Sequence, residues 1–379
     1  MTEDAQTQQQ MNHGDSSGSS VTVPGSENHA HFELEADTFE ELGRVRGELL
    51  RDRLSDTYEQ YAALFRAFGV SEADEKHGAE SCLKAIERWR PGICAELTGI
   101  ADAAKIDELK VAALNARTEI LSLGSSPAGT AAHECSSVAG FVGDSNQSIQ
   151  TWDWHTELND YWHTHDVRGP GYRFVGLTEN GIVGKIGMNS EGLAVHFNIL
   201  SSAEDSARGV PMHVLARVIL AEAQSVEEAL QIIESAEVHS SSALTLLDTE
   251  EVVSVEISPV LSTAIEPVGG YVVRTNHFQD EQLAQYERGT YLSDSIDRFT
   301  LLQNRLTQRA PTSNADLLKL MTTGPDEAAV CCVHDADAVF GDRMDTLATV
   351  MTNPLTQSIR IQAGSPAHTS RNGWREFTL

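Results

Sequence analysis

The 379-residue chain is short of positive charge. It has 27 Lys and Arg against 56 Asp and Glu, a formal charge of −29. Lysine is confined to Lys76, Lys84, Lys105, Lys110, Lys185 and Lys319. A general nucleic-acid binder needs a basic footprint, and docking on anionic lipid needs one too, so neither partner is expected. The chain also lacks any run near the ~18 apolar residues that span a membrane. The first residues, MTEDAQTQQQ, carry neither a basic nor an apolar segment, so no secretory signal is read there. Cysteine is sparse: Cys82, Cys94, Cys135, Cys331 and Cys332 are odd in number and scattered. Free thiols in a reducing cytoplasm fit that pattern better than a disulfide framework.

What is present is ordinary for a globular protein, with 40% hydrophobic and 22% charged residues. The length allows one large domain or two modest ones. Nine acids and no base fall in residues 1–43, yet the remaining body is still about −20. An acidic, lysine-poor surface stays hydrated in concentrated salt. A halophilic source is one expectation; an acidic mesophilic enzyme is the other.

Residues 1–30, rich in Gln, Ser, Gly and Asn, read as a disordered polar tail. Apolar residues at helical spacing predict helices over 38–67, 79–89, 94–104 and 108–123, so residues 31–134 read as mostly helix. The stretch from Gly124 to Thr130 breaks the pattern. Strands are then expected at 137–142, 149–154, 172–177, 182–188 and 193–200. Asn180-Gly181 between two of them predicts a type I′ hairpin turn. Helices follow at 211–224 and from Ser225, where Glu228 completes a capping box. Strands at 243–247, 252–257 and 271–275, helices at 293–307 and 315–322, and strands at 347–351 and 358–362 finish the chain. Hairpin-linked strands interrupted by helix pairs suggest an α+β protein, an antiparallel sheet with helices on its outer faces.

Cys135 lies in Ala131-Ala-His-Glu-Cys-Ser-Ser-Val, where helix gives way to strand. A lone Cys is usually an inert core residue. A cut just before it would free an α-amine with a pKa of ~7.7–8, able to serve as base for its own thiol. Asp153, between Trp152 and Trp154, is either a surface carboxylate between anchoring indoles or the group that binds the Cys135 α-ammonium. Asn276, in Arg274-Thr-Asn-His277, is a turn residue or an oxyanion donor. His277 alone reads as a satisfied histidine, and Ser258-Pro259 as a strand end. Cys331-Cys332-Val-His334 has no second pair at zinc spacing. His163 and His165 share a face if extended but have no carboxylate or Cys partner, so no metal is expected. Dinucleotide, P-loop and GxSxG motifs are absent.

Together, Glu87-Arg-Trp, Leu114-Asn-Ala-Arg-Thr-Glu119, Glu134-Cys-Ser, Trp152-Asp-Trp, Gly181-Ile-Val-Gly-Lys-Ile-Gly-Met-Asn-Ser-Glu-Gly192, Glu256-Ile-Ser-Pro and Thr275-Asn-His277 resemble the acyl-coenzyme A:6-aminopenicillanic-acid acyltransferase family. These are cysteine peptidases of the N-terminal-nucleophile hydrolase superfamily. The segments run in that family's order over roughly residues 32–362.

The resemblance implies a four-layer αββα sandwich with a helical N-terminal segment. It implies a precursor that cuts itself at Glu134–Cys135 into an α chain ending at residue 134 and a β chain of residues 135–379. The two remain associated as one catalytic unit over 31–379. By similarity Cys135 is the nucleophile, Asp153 orients its amine, Asn276 stabilises the oxyanion and Ser258 serves processing and activity. Asn198, Trp154 and His277 are weaker pocket candidates. The expected activity is hydrolysis or acyl transfer on a nonpeptide amide or acyl thioester, with no cofactor; a CoA thioester would be a substrate. The alternatives are an acyl-CoA-dependent N-acyltransferase with minor hydrolysis, a non-catalytic binding protein left uncut, and a redox or metal sensor using Cys331-Cys332. Two departures stand out: Glu134 replaces the glycine common before the nucleophile, and Val330-Cys-Cys-Val-His334 lacks the arginine of the family's late segment. That arginine supports the site or substrate in the family, so the penicillin reaction is not carried over.

Overall fold

Side-chain caps start most of the helices. Thr38, Ser71, Asp107, Ser225 and Ser313 each accept a hydrogen bond from a main-chain N–H two or three residues on, satisfying a donor the first turn leaves free. In this computed structural model, residues 29–125, 135–289, 292–324, 326–332, 339–368 and 373–379 are described. The tail up to residue 28, Glu134 and His334 lie outside them. After strand β1 (His31–Glu35) come α1 (Phe39–Ala67), α2 (Glu72–Trp89), α3 (Pro91–Ala104), α4 (Glu108–Asn115) and α5 (Arg117–Leu121). α2 begins earlier than its apolar periodicity suggested because Ser71 caps it. The helix read over 108–123 divides at Ala116.

Strands β2 (Ser136–Val142), β3 (Ser145–His155), β4 (Trp162–Arg168), β5 (Phe174–Glu179), β6 (Ile186–Asn189) and β7 (Ala194–Ile199) follow. Next come α6 (Met212–Glu222), α7 (Val226–Ser235), β8 (Ser242–Leu247), β9 (Val252–Ile257), β10 (Ser262–Ile265) and β11 (Tyr271–Arg274). The chain ends with α8 (Leu292–Gln308), α9 (Asn314–Met321), β12 (Met344–Asn353), β13 (Ser358–Ala363) and β14 (Trp374–Thr378). One sheet has the order β1-β4-β5-β6-β7-β8-β9-β10, the other β11-β2-β3-β12-β13-β14. Every pairing is antiparallel except β1 with β4.

The sheets face each other: β2 and β11 lie against β8, and β13 lies against β5 and β6. Helices α1, α6 and α7 pack on the larger sheet, α3–α5 pack against α1 with α2 against them, and α8 and α9 cover the smaller. This is the four-layer αββα sandwich expected. Apolar side chains fill each layer boundary; beneath α8 and α9, Val138 and Ile149 meet Leu302, Leu306, Leu317 and Leu320.

The turn at 180–181 differs from the type I′ hairpin expected. Only Gly181 has a positive φ, 85°, and the Ile182 N–H donates to the Glu179 carbonyl at 3.1 Å. A positive φ at the third position alone fits a type II turn. Asn180 is committed through its side chain instead, to His163 Nδ1 (2.9 Å) and Thr57 Oγ1 (3.2 Å). The strand read over 182–188 accordingly starts only at Ile186.

Candidate active site

Strand alternation sorts the residues around Cys135. Ser136 pairs with Thr151 and Ser137 with Gln150 across β2 and β3. Gln150, Trp152 and Trp154 face the larger sheet: Gln150 Nε2 donates to the Phe197 carbonyl (2.6 Å), and the Lys185 ammonium lies 3.8 Å over the Trp152 ring. Thr151 and Asp153 take the opposite face, where Thr151 Oγ1 donates to the Val330 carbonyl (2.9 Å).

Cys135 heads β2 and is 2% exposed. Its thiol donates to the main-chain carbonyl of Asp153 (3.7 Å). Its own carbonyl accepts from Asn198 Nδ2 (2.8 Å) and Arg298 Nη1 (3.1 Å). Asn198 Oδ1 accepts from Ser137 Oγ (3.1 Å), which locks its amide. The Asp153 carboxylate is fully buried and accepts from Thr346 Oγ1 (2.6 Å) and the Cys332 thiol (3.2 Å). Burial raises its pKa to about 6, against the pull of Thr346, Arg298 and Cys332. Burial, then the Asp153 charge, pushes the Cys332 thiol well up, so it remains a neutral donor. Asn276 is fixed on three sides: its N–H donates to Ser295 Oγ (2.8 Å), its Nδ2 donates to the Ile199 carbonyl (2.8 Å), and its Oδ1 accepts from Arg298 Nη2 (3.2 Å).

A second buried cluster lies on the Trp152–Trp154 side. Glu179, at the end of β5, accepts from Arg117 Nε (2.9 Å), Lys185 Nζ (2.8 Å) and the Tyr61 hydroxyl. Trp154 Nε1 donates to that hydroxyl (3.1 Å), and Arg117 stacks 4.0 Å over the Trp154 ring. Burial pulls the Glu179 carboxyl upward, but Arg117 and Lys185 outweigh it and hold it below its ordinary value. Burial lowers Lys185 to about 8, offset by the Glu179 charge.

Cys135, Asp153, Asn198 and Asn276 are therefore brought together. Trp154 stands in the adjoining cluster. Ser258 is apart: its hydroxyl donates to the Leu261 carbonyl (3.1 Å) and accepts from the Val260 and Leu261 N–H groups, closing the β9–β10 turn. His277 Nδ1 bonds Ser295 Oγ (2.8 Å), and burial with Arg274 and Arg298 lowers its pKa to about 4. Cys331 and Cys332 are free thiols turned to different partners, Thr323 and Asp153. Among the described residues no group of three or more His, Cys, Asp or Glu could hold a metal, and no helix is long and apolar enough to cross a membrane.

Sequence reasoning missed Arg298, Thr346 and the Lys185–Glu179–Arg117 cluster, and read Cys332 only as a sensor candidate. Asp294 and Arg298 stand at i and i+4 on a helix, a spacing that reads as a solvated ion pair. A signal was available, however: Arg298 falls in the stripe Ser295, Arg298, Leu302, Leu306, all buried.

An αββα sandwich with a buried cysteine heading an interior strand, beside a carboxylate and two locked amides, defines the class of protein. The family model for acyl-coenzyme A:6-aminopenicillanic acid acyl-transferase matches residues 143–368, and the chain belongs to that family. The match begins just after Cys135 and β2. The 40 kDa form of acyl-coenzyme A:6-aminopenicillanic-acid-acyltransferase from Emericella nidulans is 28% identical over 194 residues, 50% of this chain and 53% of that protein. The chain thus matches about half the length of that relative. Among solved structures, penicillin V acylase from Agrobacterium tumefaciens has a TM-score of 0.41 at 15% identity, covering 60% of this chain and 82% of its own. A variant of conjugated bile acid hydrolase from Clostridium perfringens has a TM-score of 0.45 at 13% identity, covering 64% and 92%. Both likenesses are too remote to bear on the chemistry of this chain.

Proposed function

We propose that the protein is an autoprocessed cysteine hydrolase or acyltransferase acting on a nonpeptide amide, or an acyl thioester, through an acyl-Cys135 intermediate. One observation carries the reading: a buried thiol heads an interior strand of the smaller sheet, its carbonyl gripped by Asn198 and Arg298, with Asp153 alongside. In the precursor, Sγ attacks the Glu134 carbonyl carbon and the Cys135 nitrogen leaves, giving a thioester. Water hydrolyses it, leaving a carboxylate at Glu134 and a free α-amine on Cys135. The α chain, ending at residue 134, and the β chain, residues 135–379, stay associated.

In turnover that amine takes the thiol proton. Sγ attacks the substrate carbonyl, and the negative oxygen is held by an N–H of Asn276 and by main-chain N–H groups. The amine passes its proton to the leaving nitrogen, and water or an acceptor amine then removes the acyl group. Asp153 holds the α-ammonium, and Ser258 acts on processing through the β9–β10 turn. The scheme uses no metal or organic cofactor, and a CoA thioester would enter as substrate. The acidic surface disfavours polyanions at low salt, which favours amide hydrolysis over transfer from CoA. The five free thiols fit a cytoplasmic setting.

Intact-mass spectrometry of purified protein tests the reading. The wild type should yield two chains, the larger beginning at Cys135. Cys135→Ala should stay whole and inactive, and Cys135→Ser should cut slowly. A wild-type chain that stays whole, like Cys135→Ala, would end this reading in favour of a non-catalytic binding protein.

A further inference from the structure

Between the larger sheet and the helices that cover it lies a further group of buried charges, which acyl transfer does not use. Arg46 from α1 and Arg217 from α6 share one carboxylate, Glu96 from α3. Arg46 Nη2 donates to Oε1 (3.3 Å) and Arg217 Nη2 to Oε2 (3.2 Å), and all three side chains are fully buried. Arg46 also donates to the Val183 carbonyl (3.4 Å) and, through Nη1, to His165 Nδ1 (3.2 Å) on β4. The His165 ring stands nearly perpendicular to that of Phe174, 5.3 Å away, and the Arg217 guanidinium lies 4.9 Å over the same Phe174 ring. The contacts therefore close a ring through Glu96, Arg46, His165, Phe174 and Arg217, and every member is buried.

Two observations point to a ligand of negative charge. The first is the balance of charge. Guanidiniums keep their protons in a protein, so two cations face one anion and a net positive charge is buried. Among the described residues no carboxylate but Glu96 bonds either guanidinium. Asp166 is committed to Arg168 and Arg173, and Glu179 to Arg117 and Lys185. An uncompensated charge is costly to bury. The second is hydrogen bonding. Arg46 Nε, Arg217 Nε, Arg217 Nη1 and His165 Nε2 are buried and have no hydrogen-bond partner among the described residues. A guanidinium has only donors, so His165 Nδ1 accepts from Arg46 and the imidazole hydrogen sits on Nε2. All four orphaned atoms are then donors. His163, two residues before on β4, is the opposite tautomer. Asn180 Nδ2 donates to Thr57, so its Oδ1 takes the His163 Nδ1 hydrogen. The bare His163 Nε2 can receive at most the His165 hydrogen, and the three guanidinium donors remain. A neutral acceptor such as water satisfies donors but leaves the charge.

We propose that this group is a binding site for one small monovalent anion, a halide such as chloride, held by Arg217, Arg46 and His165. The enclosure selects a bare ion over an organic acid, because no member of the ring is exposed. The ion has a structural role. Arg46 and Glu96 precede residue 134 and His165 and Arg217 follow it, so the ion ties the helical segment to the strands and to α6. Stability then depends on which anion the salt supplies, and not only on ionic strength.

Diffraction from protein prepared and crystallised in potassium bromide tests the site, since bromide scatters anomalously and water does not. An anomalous peak is expected within hydrogen-bonding distance of the Arg217 and Arg46 donors. Thermal melts in potassium chloride against potassium gluconate at equal ionic strength separate binding from screening. A bound ion stabilises with the logarithm of its concentration, so chloride should raise the melting temperature over gluconate by about 2–4 °C for each tenfold increase. Arg217→Met leaves the neutral pair of Arg46 and Glu96, and should abolish both the peak and the chloride advantage. Arg46→Met does the same from α1 if that variant does not fold, and the wild-type measurements decide alone if neither does. Density at the group without anomalous signal, or no density, overturns the proposal. A peak accompanied by overlying chloride and gluconate melts, or by a chloride advantage that survives in a folded variant, means an adventitious ion only and overturns it too. Cleavage before Cys135 plays no part in these measurements, so their failure leaves the acyl-transfer reading standing.

Discussion

Asp153 shows how burial and hydrogen bonding set one residue's chemistry. Taking the carboxylate out of water pushes its pKa to about 6, and Thr346 Oγ1 at 2.6 Å and the Cys332 thiol at 3.2 Å limit the rise. Hydrogen bonds to the charged form favour it. Thr346→Val removes the shorter bond, so the carboxyl should rise by roughly one further unit. A larger share is then protonated at pH 7, and the hold on an α-ammonium weakens. The acidic limb of kcat/KM should move to higher pH by a similar amount, with Thr346→Ser close to wild type and activity recovering near pH 8. An acidic limb that does not move would show that Asp153 ionisation does not control the rate. Cys135 and Asp153 were legible in the sequence because each sits in a short motif at a change of local structure. Their supporting partners were not, because Thr346 and Cys332 lie 193 and 179 residues away from Asp153.

Among the elements, the crossing of α1 with α3 depends on glycine. A Cβ on Gly43 would lie 2.0 Å from the Glu96 carbonyl oxygen, and one on Gly99 would lie 2.3 Å from that of Glu40. The obstacles are main-chain atoms, so a methyl group can be accommodated only by moving a helix. Gly43→Ala should cost about 1–3 kcal/mol or more from overpacking, despite alanine's better helix propensity. Urea unfolding measures this directly; an unchanged or raised midpoint would contradict so close an approach. Helices carrying a cap and an apolar stripe were legible in the sequence. β1, β4, β10 and β14 were not. β4 reads Trp-His-Thr-His-Asp-Val-Arg, and His163, Thr164, His165 and Asp166 are all buried. Its polar groups meet partners on both faces, such as Arg46 at His165 on one and Arg375 at Thr164 on the other, so no polar–apolar alternation marks the strand.

For the molecule as a whole, the acidic excess belongs to the surface. Among the described residues six basic side chains and seven acidic ones are buried, so their interior is nearly balanced and holds almost none of the acidic excess. Self-repulsion of that surface is screened by salt. On the halophilic expectation the melting temperature should climb steeply between low and molar KCl; a flat response would leave an acidic mesophilic protein. The pH dependence follows from the buried histidines. Burial lowers His155, His163 and His196 to about 3 and His277 to about 4, and holds His165 and His213 well below their ordinary value. The unfolded chain protonates these six near pH 6.5 and the fold does not, so their stabilisation is present above that value and is lost as pH falls through it. Burial raises Asp153 and Asp205 to about 6 and Glu287 to about 7, with the opposite sign. Burial also lowers His31 and raises Glu119 and Glu251, so seven groups outnumber five and the urea midpoint should drop between pH 7 and pH 5; a midpoint that held or rose would refute this balance.

By itself the sequence determined the α+β class, most helix starts, the candidate nucleophile with its carboxylate and amide partners, and the acidic surface. These features rest on interactions spanning a few residues: caps, 3.6-residue stripes, short motifs and composition. Only the tertiary structure decided which side chains complete the surroundings of Cys135. Asn198 comes from the opposing sheet, 63 residues away, and Arg298 from the outer helical layer, 163 residues away. Those meetings are set by how two sheets and two helical layers pack, and packing joins residues that no local pattern relates.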